Sequence, residues 1–225
     1  MRKFEFTESR WELDKHPLGE FFVRHIGLEP ELVRDFETCL ADAETEAPIQ
    51  DFLEAHPGLL VQHLLGSARF VLPRKRLGAE FIPDFVVGGH LSDGYQWQLI
   101  ELESPCLPFF SKKGDPTAAL SHAIRQITDW RAWLQRNQNY AARARAESGL
   151  GLADIRSDVP GLILMGRRTL LAEATNERRR QMAADLNIAI HTYDYLLEGA
   201  RAAADHDRAL NPLGPKGPGP PKGTP

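Results

Sequence analysis

Apolar residues return in steps of four at Leu32, Phe36 and Leu40, with Val33 beside them, inside GLEPELVRDFETCLADA. That spacing predicts a helix. TEAPIQDFLEAHPGLL predicts a second one, capped by Thr45, striped by Ile49, Phe52 and Leu53, and stopped at His56-Pro57-Gly58. Ahead of both, residues 1–27 hold short β-like pieces, FEF and FFVRHI, around turns. The pattern then turns β-rich. LLVQHLL, ARFVLPRKRL, EFIPDFVVGG and YQWQLIELES are short runs of Val, Ile, Leu and Phe broken by Gly, Pro and Asp. LSDG at 91–94 is a candidate hairpin turn between the last two.

After the loop PFFSKKG the period changes again. Asp115 followed by Pro116 reads as a helix cap with proline at the first helical position. The long segment that follows carries a stripe of Leu120, Ala123/Ile124, Ile127, Trp130/Arg131 and Leu134. A flank of His122, Gln126, Asp129 and Trp133 runs beside it. PGLILMG (160–166) is apolar without alternation, the mark of a strand buried on both faces. TLLAEATNERRRQMAADLN predicts a helix, and IAIHTYDYLLEGARAAA a strand and a further helix. A strand-helix-strand passage after a meander implies an α/β (α+β) architecture with a mixed β-sheet flanked by helices. The domain reading is an N-terminal extension over 1–44 with short strands and a helix, a main domain over 45–208, and a disordered Pro/Gly-rich tail over 209–225.

Composition changes this picture little. At 42% hydrophobic and 26% charged, the 225 residues suit one sizeable core. No apolar run is long enough to span a membrane, and MRKFEFTESRWELDK does not look like a signal peptide. Cys39 and Cys106 form neither a metal-binding spacing nor a disulfide framework, so a cytoplasmic protein with reduced thiols is expected. Charge is uneven. Residues 1–54 hold 14 acidic against 6 basic side chains, whereas residues 55–225 hold 17 against 21. The second part permits a basic face for nucleic acid without requiring one.

The chemistry is carried by acids on strands. Glu101 and Glu103, in WQLIELESP, point to one face because a strand alternates with period two. Like charges side by side repel, so a solvated edge or a divalent cation must offset the cost. Leu99, Ile100 and Leu102 argue for a buried strand, and a buried carboxylate needs a partner. If LSDG closes a hairpin, Asp84 of FIPDFVV comes near Glu101. Asp84, Glu101 and Glu103 would then form a site for Mg²⁺ or Mn²⁺, both of which prefer hard oxygen ligands. Each acid also has a plainer reading, Asp84 as a turn residue after Pro83 and the two glutamates as an exposed edge. His63 and His191 stand alone and receive no role. Glu177-Arg178-Arg179-Arg180, with Arg167 and Arg168, reads first as solvated surface and second as a phosphate contact.

The pattern Pro83-Asp84, then an apolar strand ending in Glu101-Leu102-Glu103, resembles the PD-(D/E)XK nuclease superfamily. The ordered set TEAPIQDFLEAHPGLL, IPDF, WQLIELESP, FSKKGDPTAAL and HAIRQITDW is more specific. Over roughly residues 45–195 it resembles the catalytic domain of Shedu-type antiphage effector nucleases. The resemblance implies a restriction-endonuclease-like core with N-terminal helices, and a Mg²⁺- or Mn²⁺-dependent endonuclease that cuts DNA in bacterial antiphage defence. It places metal ligands on Asp84 and Glu101 and a helical glutamine on Gln126. The lysine it expects two residues after the second acid falls on Glu103. Glu103 would then bind metal or act as a base, or the ammonium would come from Lys112 or Lys113. Glu46, Gln50 and Glu54, four apart on one helix face, could add one more acidic or polar group. Assembly into a homo-oligomer is expected by analogy alone. The alternative reading is a non-cleaving nucleic-acid-binding or regulatory module on the same fold.

Overall fold

The computed structural model describes residues 16–23, 28–64 and 68–210. The expected FEF piece, much of FFVRHI and the tail from residue 211 lie outside them. Five strands form one sheet in sequence order: β1 (Ala68–Pro73), β2 (Phe85–Leu91), β3 (Gly94–Leu102), β4 (Gly161–Leu164) and β5 (Ile188–His191). The first three are antiparallel and the last two run parallel to β3, so the sheet is mixed. The helices are α1 (Pro30–Asp42), α2 (Ala47–Ala55), α3 (Ala118–Ala142), α4 (Asn176–Leu186) and α5 (Asp194–Leu210).

Two cores lie on the two faces of this sheet, one on each side of the pleat. Val86, Leu99, Ile163 and Ile190 pack against Leu120, Ile127, Trp130 and Leu134 of α3. Phe85, Val87, Ile100, Leu102, Leu162 and Leu164 pack against α1, α2 and α5 through Phe36, Ile49, Leu53 and Leu196. Every β4 residue is buried, as its uninterrupted apolar run requires. The expected hairpin is present. Leu91 pairs with Gly94, leaving Ser92-Asp93 as a two-residue loop, and Gly94 takes the left-handed φ of 116° there.

Several sequence expectations shift. LLVQHLL is not a strand: Leu59, Leu60 and Val61 are buried in a 3₁₀ turn over Pro57–Val61. A short run apolar on all sides fits either form, and tertiary packing decides between them. α2 starts at Ala47 with Glu46, not Thr45, at the N-cap position. α3 starts at Ala118 behind Thr117, whose Oγ1 accepts the Leu120 N–H at 3.3 Å. Asp115 belongs to the preceding turn, where its carbonyl accepts the Ser111 N–H. Trp133 is buried in the α3 core rather than part of a polar flank. α1 shares its core with α5, so the N-terminal helix packs against the last one. Among the described residues no helix is long and apolar enough to cross a membrane.

Candidate functional site

Residues 85 and 100 are partners in the β2–β3 register, so the next pair outward is Asp84 and Glu101. Both lie on the sheet face that α3 covers, as the hairpin arithmetic predicts. The Asp84 Oδ2 accepts the Leu102 N–H at 2.8 Å. The two carboxyl side chains are hydrogen-bonded to each other. From α3, the Gln126 amide donates to Glu101 Oε1. Glu101 is the one charged side chain that is fully buried among the described residues, at 6% exposure. Glu103 lies one residue past the end of β3, but its N–H still donates to the Leu164 carbonyl at 2.9 Å. That bond carries the strand's alternation one residue further, and Glu103 is half-buried beside the pair.

The electrostatics are those of crowded anions. Burial above all, then the charges of Asp84 and Glu103, pushes Glu101 up to about 10. Burial pushes Asp84 up to about 6, offset in part by the Leu102 N–H and the hydrogen bond from Glu101. Glu103 is pushed up to about 7 by burial, then by Glu46 and Asp84. Burial and mutual like charge thus favour a protonated form of the Asp84–Glu101 pair over two bare carboxylates.

Glu46 joins this cluster and its helix neighbours do not. Its charge acts on Asp84, Glu101 and Glu103. Gln50 instead donates to Glu54, and Glu54 pairs with Arg74 at 2.7 Å. Arg74 carries no role in the sequence pattern. Its N–H donates to the Asp84 carbonyl at 2.8 Å, its φ is a left-handed 46°, and its charge partly offsets the shift of Asp84. An arginine in RKRL gives no sign of this, because the contact depends on how the β1–β2 connection turns.

Lys112 and Lys113 are exposed. They sit in a turn closed by Ser111 N–H to Asp115 O at 2.7 Å and tied to α4 by Arg178, which donates to the Gly114 carbonyl and pairs with Asp115. Among the described residues neither lysine makes an ion pair with the acids. The arginines suggested as phosphate contacts have internal partners: Arg167 with Asp194, Arg168 with Glu198, Arg180 with Glu177, and Arg179 over the Phe109 ring. His63 and His191 lie away from the cluster, His63 bonded to Gln98 and His191 stacked on Tyr195. Cys39 and Cys106 are free thiols.

Among the described residues no three or more His, Cys, Asp and Glu side chains close into a ready metal cage. Mg²⁺ seldom needs one, since it keeps several waters and takes one or two carboxylates. The buried Glu101 and half-buried Asp84, crowded together with like charge, are a donor set of that kind. A divalent cation relieves the same repulsion without the proton.

A family model described as "Shedu protein SduA, C-terminal" matches residues 43–197. The chain belongs to that family of Shedu C-terminal domains. No curated protein matches it. Among solved structures it is similar to the restriction endonuclease FokI bound to DNA, at 13% identity and a TM-score of 0.42. That match covers 95% of this chain and 32% of the FokI chain, so this chain spans about a third of that protein's length. The likeness is too distant to carry a functional argument.

Proposed function

We propose that residues 45–208 form a Mg²⁺- or Mn²⁺-dependent endonuclease domain that hydrolyses DNA phosphodiester bonds, serving antiphage defence in the bacterial cytoplasm. Membership of the Shedu family supports the defence role. The observation that carries the chemistry is the buried Glu101 set against the half-buried Asp84 across two strands, with Glu103 beside them. Asp84 and Glu101 would hold the ion. Bound there, it supplies a polarised phosphate oxygen and an acidified water. Gln126 fixes the direction of the Glu101 carboxylate through its amide. Glu103, raised to about 7, is suited to take the proton of the attacking water near neutral pH, or to serve as a further ligand. Lys112 and Lys113, free of ion pairs among the described residues, would meet backbone phosphates from the loop.

The test is incubation of the pure chain with linear and circular DNA, with and without Mg²⁺ or Mn²⁺. Metal-dependent cuts that vanish in Asp84→Asn would support the reading. A full rate in Asp84→Asn or Glu101→Gln would remove it.

One observation favours a second reading. Glu103 stands where the superfamily pattern has lysine, and the loop lysines are not drawn into the acids. A non-cleaving nucleic-acid-binding or regulatory module is therefore the alternative. It predicts salt-sensitive DNA retention without cleavage under any metal.

A further inference from the structure

The ring of Tyr193 is fully buried between β5 and α5, and its hydroxyl reaches across to the end of β3. It donates to the Glu103 carbonyl at 2.8 Å. The Tyr193 N–H donates to the Gly166 carbonyl at 3.2 Å, which fixes the base of the side chain just past β4. We infer that Tyr193 is a positioning residue for the carboxylate cluster, with its hydroxyl setting the direction in which the Glu103 side chain leaves the strand. This inference rests on the site proposed above and deepens it.

The need for such a group follows from where β3 stops. The ladder ends at Leu102. Glu103 keeps its N–H bond to Leu164, but among the described residues its carbonyl receives no backbone N–H. A peptide held on one side only can rock about its chain axis, and its side chain swings with it. The Tyr193 hydroxyl is the second point of attachment.

The next residues extend the same clasp. The Ser104 hydroxyl donates to the Glu44 carbonyl at 2.8 Å, and the Cys106 thiol contacts the Ala43 carbonyl at 3.6 Å. Residues 43–46 form the link into α2 that carries Glu46. One short segment, 103–106, thus ties the end of β3 to the approach of Glu46. The Ser104 and Cys106 contacts hold the chain that leads into Glu46 against the segment that follows Glu103. Loosening the clasp would spread the donor set rather than unfold the sheet, because the Tyr193 ring packs in the apolar core with or without its oxygen.

Tyr193→Phe in the full chain is the direct test, with Mn²⁺ binding measured by calorimetry, stability by thermal melting, and cleavage by kcat and KM. One missing hydrogen bond predicts an Mn²⁺ Kd about 5- to 10-fold higher. The loss should fall on kcat, with KM for DNA unchanged. Trp97→Phe supplies the comparison. It removes an indole bond to the Ala153 carbonyl at the other end of β3, and should lower the melting temperature while leaving Mn²⁺ affinity within about twofold, since it breaks a bond of similar worth far from the acids. If Tyr193→Phe does not fold, Ser104→Ala carries the test, with a smaller rise in Kd expected. Parental Mn²⁺ affinity in the folded variant, where Asp84→Asn binds none, would overturn the positioning role and leave the site standing. A parent chain that binds no Mn²⁺ would overturn the site and this inference together.

Discussion

The two ends of β3 answer the same physical problem in opposite ways. At the hairpin end, polar groups meet complementary partners. The Trp97 indole donates to the Ala153 carbonyl at 2.6 Å, the Tyr95 N–H to Asp154 at 3.0 Å, and the Tyr95 hydroxyl pairs with His16 at 2.7 Å. The Trp97 ring lies over Gly88, where an added Cβ would come within 2.4 Å of it. At the other end Glu101 is buried against Asp84 and Glu103, like against like. A strand that can satisfy its polar groups at one end is not short of means at the other. Under the proposed reading, the contrast is that of a site with stability given up locally for a field suited to a cation.

Neutralising the acid end should have the largest effect. Asp84→Asn and Glu101→Gln should each lower metal-dependent cleavage by about 10²-fold or more, as loss of a group acting on developing charge does. Their circular dichroism should match the parent's. A rate within tenfold of the parent would erase the distinction between the two ends.

The same substitution should work the other way on stability. Glu101 sits at about 10 in the fold against an ordinary 4.5, so the native state holds a proton that the unfolded chain releases between those values. Stability without metal therefore falls as pH rises through that window. Melting without metal should occur at a higher temperature at pH 5 than at pH 8, and Mg²⁺ should narrow the gap at pH 8. Glu101→Gln should stabilise the metal-free protein at pH 8 by about 1–2 kcal/mol, whereas Trp97→Phe should destabilise it. A Glu101→Gln protein that melts lower than the parent at pH 8 would show that this carboxylate is structurally satisfied after all.

Gln126→Ala should reduce cleavage or Mn²⁺ affinity by about tenfold, the usual effect of losing a group that orients a ligand. Single-turnover kinetics and an Mn²⁺ titration would measure the two effects separately. The smallest effect belongs to the loop. Lys112→Ala with Lys113→Ala should leave Mn²⁺ affinity unchanged and lower the slope of DNA affinity against salt by about one for each phosphate that a lysine had neutralised. An unchanged slope would place both lysines outside the interface.

Much of this architecture is legible in the order of residues. The unbroken apolar GLIL foretells a strand covered on both faces, and β4 is one. LSDG between two β-rich runs sets a register in which 84 meets 101, because a two-residue hairpin loop leaves only one way to count back. The helix stripe of Leu120, Ile127, Trp130 and Leu134 turns inward as its spacing requires. Where the local pattern misleads, tertiary forces compete with it. Leu59 to Val61 are buried in a 3₁₀ turn because burial, not period, is the stronger demand. Thr117 takes the cap that the Asp115-Pro116 pair suggests for Asp115, since Asp115 is already committed to the Ser111 turn.

The chain's own order determined the strands, their pairing and the coincidence of Asp84 with Glu101, because period and turn length act between near neighbours. Only the tertiary structure decided that Glu46 at the cap of α2 and Arg74 act on those acids, that Lys112 and Lys113 stand apart from them, and that Tyr193 reaches back across 90 residues to hold Glu103. Those contacts depend on how separately formed layers dock, and docking is set by the shape of two cores rather than by any local pattern of residues.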